Sequence, residues 1–131
     1  MIRTKSVFSP IDKKRDGLRL LVTRYRGRYM LTSRYDVWMP NLAPSERLLK
    51  QMQTGRMTWS SFAKSYRAEI FEGGSFDGRN ATIKNHGQKF TLRLLKSLST
   101  KGPVTLLCHC AEDQTQCHRH ILAKIIGSKK V

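Results

Sequence analysis

Apolar residues along this chain fall into two rhythms, short continuous runs and longer stripes spaced three or four apart, and the two predict different elements. Residues 2–7 read as a first strand. Residues 18–23 (Leu-Arg-Leu-Leu-Val-Thr) read as a second, apolar enough to be buried on both faces. Between them, Ser9-Pro10 and the charged run 12–17 ending in Gly17 predict a solvent-facing turn. Residues 33–44 are irregular. Pro40 and Pro44 break any helix there, while Trp38, Met39 and Leu42 are expected in the core.

Helical spacing begins at Ser45, a good N-cap with Glu46 in the first turn, and carries Leu48, Leu49 and Met52 as far as Gly55. Thr58 can cap a second helix whose Trp59, Phe62, Ala63, Tyr66 and Ile70 form a core stripe ending at Gly73-Gly74. Residues 73–87 are rich in glycine, asparagine and aspartate and predict a long connection, with His86 a surface residue. A third helix over 88–99 is expected to turn Phe90, Leu94, Leu95 and Leu98 inward. Lys101-Gly102-Pro103 then leads into an apolar strand from Val104, and a last amphipathic helix follows with Ile121, Leu122, Ile125 and Ile126.

Helices alternating with non-alternating apolar strands predict one α/β domain over residues 1–131, a three-layer unit with a mainly parallel sheet and helices on both faces. In such sheets ligands collect beyond the C-terminal ends of the strands. The run 24–29 (Arg-Tyr-Arg-Gly-Arg-Tyr) follows one of those ends, and the polar loop after Cys108 follows another. If the two strands are neighbours, both loops face one crevice.

Composition narrows the classes. With 39% apolar and 26% charged residues over 131 positions, the chain has the makeup of a folded soluble protein. It contains no run long enough to span a bilayer and no signal-peptide core behind Met1, so a cytoplasmic protein without membrane association is expected. Three cysteines cannot all pair within one chain, which excludes a secreted disulfide framework and leaves thiols, thiolates or metal ligands. The net charge of +16 points to a polyanionic partner such as a nucleotide or nucleic acid. The plainer reading of that charge is a solvated basic surface.

The chemistry concentrates at the strand-to-helix corner, where Cys108, Cys110, Cys117, His109, His118 and His120 lie with Arg119. One reading makes it an anion site for a phosphate-bearing ligand, with Arg19, Arg24, Arg28 and Arg119 as the cations. There Cys117, at the helix N-terminus beside Arg119, would be an activated thiol, and this pair would be the catalytic candidates. A second reading makes it a site for zinc, iron or haem, drawing on Cys108, Cys110, Cys117, His118 and His120. Two residues apart on a helix, His118 and His120 point to nearly opposite sides, so at most four of these groups meet: the cysteines and one histidine. A third reading is a structural or partner-binding module with no small ligand.

The segments Asp16-Gly17-Leu18-Arg19-Leu20-Leu21-Val22-Thr23-Arg24, Leu42-Ala43-Pro44-Ser45-Glu46-Arg47-Leu48 and Cys117-His118-Arg119, with Trp38, Trp59, Phe62, Tyr66, Glu69 and Leu106-Leu107-Cys108, resemble the family known as domain of unknown function 488. The resemblance runs over nearly the whole chain. It implies a compact three-layer α/β domain of bacteria and archaea and implies no particular reaction. Its motif positions fall on Arg19, Arg24, Cys108, Cys117, His118 and Arg119. Many relatives carry an aspartate before the second motif arginine and Pro-Arg-Gly after it. Here Thr23 and Tyr25-Arg26-Gly27-Arg28 stand instead, adding positive charge and leaving no carboxylate there.

Overall fold

Four short strands, β1 (Ile2–Ser6), β2 (Leu18–Leu21), β3 (Val37–Trp38) and β4 (Val104–Cys108), form one sheet in the order β1-β4-β2-β3, with every pairing parallel. β4 is buried at every position, as a central strand between two neighbours must be. This computed structural model describes residues 1–72 and 88–131; the connection expected at residues 73–87, with His86, lies outside them. The helices are α1 (Lys13–Asp16), α2 (Glu46–Gln53), α3 (Trp59–Glu72), α4 (Gln88–Lys101) and α5 (His118–Gly127). The α/β class and parallel sheet are as the sequence predicts. Among the described residues, no helix is long and apolar enough to cross a membrane.

Strand alternation sends Leu20, Val22, Val104 and Leu106 to one face, where they meet Leu48 of α2, Phe62, Tyr66 and Ile70 of α3, Leu92 and Leu95 of α4, and Ile121, Leu122 and Ile125 of α5. The other face is covered thinly. Val7, Leu21 and Leu107 form its small apolar cluster with Met30 and Tyr35, and α1 lies over its polar positions. Lys5 donates to both carboxylate oxygens of Asp16 at 3.0 and 3.1 Å, and Thr105 Oγ1 donates to the Asp16 carbonyl at 2.7 Å. The predicted solvent-facing turn is therefore corrected: it holds a helical turn with Asp16 buried, because the sheet beneath it supplies a cation and a hydroxyl donor. Gly17 closes that turn at φ +60°, and a Cβ there would lie 2.0 Å from the Pro103 carbonyl oxygen, so no other residue fits.

Ser45 caps α2 as expected, accepting from the Leu48 N–H at 3.2 Å, and Thr58 accepts from Ser61 N–H at the start of α3. Two expectations are corrected. On α4 Leu95 faces the core as expected and is joined there by Leu92, while Phe90, Leu94 and Leu98 are exposed. The helix carries apolar residues on two faces, and tertiary contacts with α5 and α3 select that of Leu92 and Leu95. Trp38 is not tucked into the core either; it lies on the edge strand with its indole N–H donating to the Thr23 carbonyl at 2.8 Å.

Candidate functional site

β2 and β4 are neighbours, so the loops that leave their C-terminal ends share one end of the sheet. The Val7 N–H donates to the Cys108 carbonyl and the Val22 N–H to the Leu107 carbonyl, pinning the tip of β4 between the two flanking chains. Cys108 then faces the helical side, beneath the N-terminus of α5, whose N-cap is Cys117.

Within this corner the side-chain ligand atoms of Cys108, Cys117 and His118, all buried, lie within 4.8 Å of one another. Cys108 Sγ is 3.9 Å from His118 Nδ1 and 3.7 Å from Cys110 Sγ. His118 Nε2 donates to the Val22 carbonyl at 2.5 Å. A carbonyl only accepts, so Nε2 carries the proton and Nδ1 presents its lone pair to the sulfurs. The Tyr66 ring meets the imidazole edge-on, with centroids 5.7 Å apart, and fixes its plane.

Hydrogen bonds from Cys110 and then Cys117 hold the Cys108 thiol far below its ordinary range despite burial. Donating to Cys108 and being buried push Cys110 and Cys117 the other way, far above theirs. Of the three thiols, Cys108 is the one held below its ordinary range. Arg119 favours the Cys117 thiolate only through its backbone N–H, because its side chain turns back on the loop. Nη1 donates to the Cys110 carbonyl at 3.2 Å, and Nη2 to those of Ala111 at 2.9 Å and Glu112 at 3.2 Å.

The four arginines read as an anion site do not converge. Arg19 is buried against Asp36, with Nη2 3.2 Å from the carboxylate, and donates to the Ser33 carbonyl. Arg24 is buried and donates to the carbonyls of Pro44 and Ala43 at 2.9 and 2.8 Å. Arg119 is fully buried, and Arg28 alone of the four is exposed. His120 also leaves the cluster: Nδ1 lies 3.3 Å from Thr4 Oγ1, and Nε2 donates to the Gln114 carbonyl at 3.0 Å. Of five proposed metal ligands, the structure gathers Cys108, Cys117 and His118, with Cys110 beside Cys108 at the rim.

Two features escaped the sequence reading. The Leu42-Ala43-Pro44-Ser45 segment works as a receptor for side chains, taking Arg24 on two carbonyls, the Tyr66 hydroxyl on the Leu42 carbonyl, and Glu69 on the N–H and hydroxyl of Ser45. His109, between two of the cysteines, donates from Nε2 to the Arg26 carbonyl at 3.1 Å and so ties β4 to the basic loop.

Residues 2–130 match the family described as the active DUF488-N3 subclade. The chain is also 29% identical over 129 residues to YeaO of Escherichia coli (strain K12), a protein described as uncharacterised, with 97% of each chain covered. No solved structure matches it.

Proposed function

From the premise that this chain belongs to the DUF488-N3a family, and from the geometry of its strand-to-helix corner, we propose that it is a metal-binding protein holding a zinc or ferrous ion on Cys108, Cys117, His118 and Cys110. The observation that carries this reading is the buried convergence of three ligand atoms within 4.8 Å, one of them an imidazole nitrogen whose partner nitrogen is fixed on the Val22 carbonyl. That outer hydrogen bond is the usual means by which a ligating histidine is oriented. Two sulfurs bound to tetrahedral zinc at about 2.3 Å lie about 3.8 Å apart, and Cys108 Sγ and Cys110 Sγ are 3.7 Å apart. Soft thiolates and an imidazole suit zinc or iron better than calcium or magnesium. A haem has less support, because the Cys108, Cys117 and His118 side chains are buried against packed protein.

Cys110 is the partly exposed member of the set. A metal there takes three ligands from the interior and one from the rim. Binding replaces the shared proton network with three thiolates and releases protons, so affinity rises with pH. The rival reading, an anion site beside the cysteines, has less support: Arg19, Arg24 and Arg119 are engaged with carbonyls and Asp36.

Metal analysis of protein purified without a histidine tag should give one zinc or iron per chain. Cobalt substitution should produce the intense near-ultraviolet absorption of cobalt–thiolate bonds, which Cys108→Ser and His118→Ala should abolish. Metal-free protein that binds no cobalt, and whose three thiols react with a thiol reagent equally with and without added zinc, would refute the reading.

A further inference from the structure

A second concavity opens at the same end of the sheet, outside the cysteine cluster. Three adjacent parallel strands each deliver residues to it: Phe8 just past β1, His109 just past β4, and the loop from Gly27 through Arg34 past β2. It encloses about 410 Å³, within the range of small-ligand sites, and lies where open α/β sheets bind ligands.

Its lining combines large exposed rings and aliphatic surface with cations. Phe8 is 61%, Tyr29 87% and Leu31 66% exposed, so these side chains stabilise no core. Single exposed apolar residues are ordinary, but several converging on one concavity are the mark of a binding surface. Arg28 sets its guanidinium 5.9 Å from the centre of the Tyr29 ring. Arg34 reaches the concavity while making one long hydrogen bond, 3.3 Å to the Ser9 carbonyl, among the described residues. Among the described residues, no carboxylate lines it. The walls are also held in place: His109 donates to the Arg26 carbonyl, and Gly27, at φ +100°, brings the backbone so close that a Cβ would touch the imidazole at 3.4 Å.

Rings that can stack on a flat aromatic face, two guanidinium groups a short distance away, a lining without a carboxylate among the described residues and a net charge of +16 are together complementary to one chemistry. We propose that this concavity binds a nucleotide unit, its base against Phe8 and Tyr29 and its phosphate on Arg28 and Arg34. The unit is either a free mononucleotide or a nucleotide within a single strand. The site stands independently of the metal reading, since none of its contacts is a cysteine or His118.

The test uses the full chain with two probes, a fluorescein-labelled ten-nucleotide oligothymidylate followed by anisotropy, and AMP followed by calorimetry, each in 50 to 200 mM salt. Tyr29→Ala should weaken whichever probe binds by on the order of 10-fold. The Arg28→Ala/Arg34→Ala double variant should lower the dependence of log affinity on log salt for the strand by about 1 to 1.5. Binding of AMP but not the strand identifies a free nucleotide, and the reverse identifies a strand; both support the site when Tyr29→Ala weakens binding. The side chains of Tyr29 and Arg28 are exposed, so the variants should fold, with circular dichroism confirming it. Two outcomes overturn the proposal: neither probe binds at 50 mM salt, or both variants bind as the unaltered chain does.

Discussion

Replacing Arg119 by methionine separates a clamp from a ligand-binding cation, because the two roles predict opposite signs. The guanidinium is fully buried and makes three hydrogen bonds to the carbonyls of Cys110, Ala111 and Glu112. A hydrogen bond from a charged donor contributes about 1.5–3 kcal/mol. Two of these are 3.2 Å long, toward the weak end, and the exposed carbonyls of residues 111 and 112 can regain water once the arginine is gone. The ion pair with Glu112 adds little, at 3.9 Å and with the glutamate side chain 55% exposed. A net loss of about 2–4 kcal/mol follows, a large part of a total stability of about 5–15 kcal/mol. It should appear as a lower urea midpoint with an unchanged slope. Arg119→Lys should lose less, since an ammonium keeps the charge but cannot span three carbonyls. Zinc affinity should fall by about 10- to 100-fold as Cys110 loosens. Were Arg119 instead a cation kept for an anion, its removal would relieve a buried charge, and the methionine variant would be as stable or more so. An urea midpoint at or above that of the unaltered chain would refute the clamp.

Two further substitutions probe the frame. Burial alone would raise the Asp16 carboxyl, but the Asp12 N–H and then Lys5 outweigh it and hold it below its ordinary value of 3.8. Its contribution is therefore present above that value and lost as pH falls through the lower folded one. Asp16→Asn should be destabilised at neutral pH, and its deficit relative to the unaltered chain should shrink below about pH 4 in urea unfolding at stepped pH. Tyr66→Phe removes the hydroxyl that donates to the buried Leu42 carbonyl but keeps the ring beside His118. Stability should fall by about 1–2 kcal/mol in the same assay, while cobalt affinity, read spectroscopically, stays unchanged.

Much of this architecture is legible in the sequence because it depends on local pattern. The strand over Val104–Cys108, the Ser45 cap and the Trp59-to-Ile70 stripe each follow from propensities within a few residues. The corner was legible too, since chain proximity brings Cys108, Cys110, Cys117 and His118 together. What sequence missed depends on partners far along the chain. Arg24 is buried because a loop twenty residues on turns two carbonyls toward it, and an arginine read alone belongs on the surface. Phe90, Leu94 and Leu98 make a regular stripe beside Leu95, yet Leu92 lies on Leu95's other side, and only the position of α5 decides which of them joins Leu95 in the core. The choice of His118 over His120 was left open because it turns on the Val22 carbonyl, which is distant in sequence.

The placement of β4 at the centre of the sheet bears on how the chain is made. β1 and β2 are not paired with each other, and each finds its main partner in Val104–Cys108, far along the chain from both. At a synthesis rate of about 5–20 residues per second, β1 waits roughly 5–20 s for its neighbour to leave the ribosome. Its edges stay open throughout that wait, the circumstance in which strands find wrong partners. The closing strand then arrives with the cysteines and α5 immediately behind it, so a nascent chain that stops short of residue 104 has only the short β2–β3 pairing and no cysteine corner. Ribosome-bound fragments ending before and after that point should differ sharply in resistance to protease.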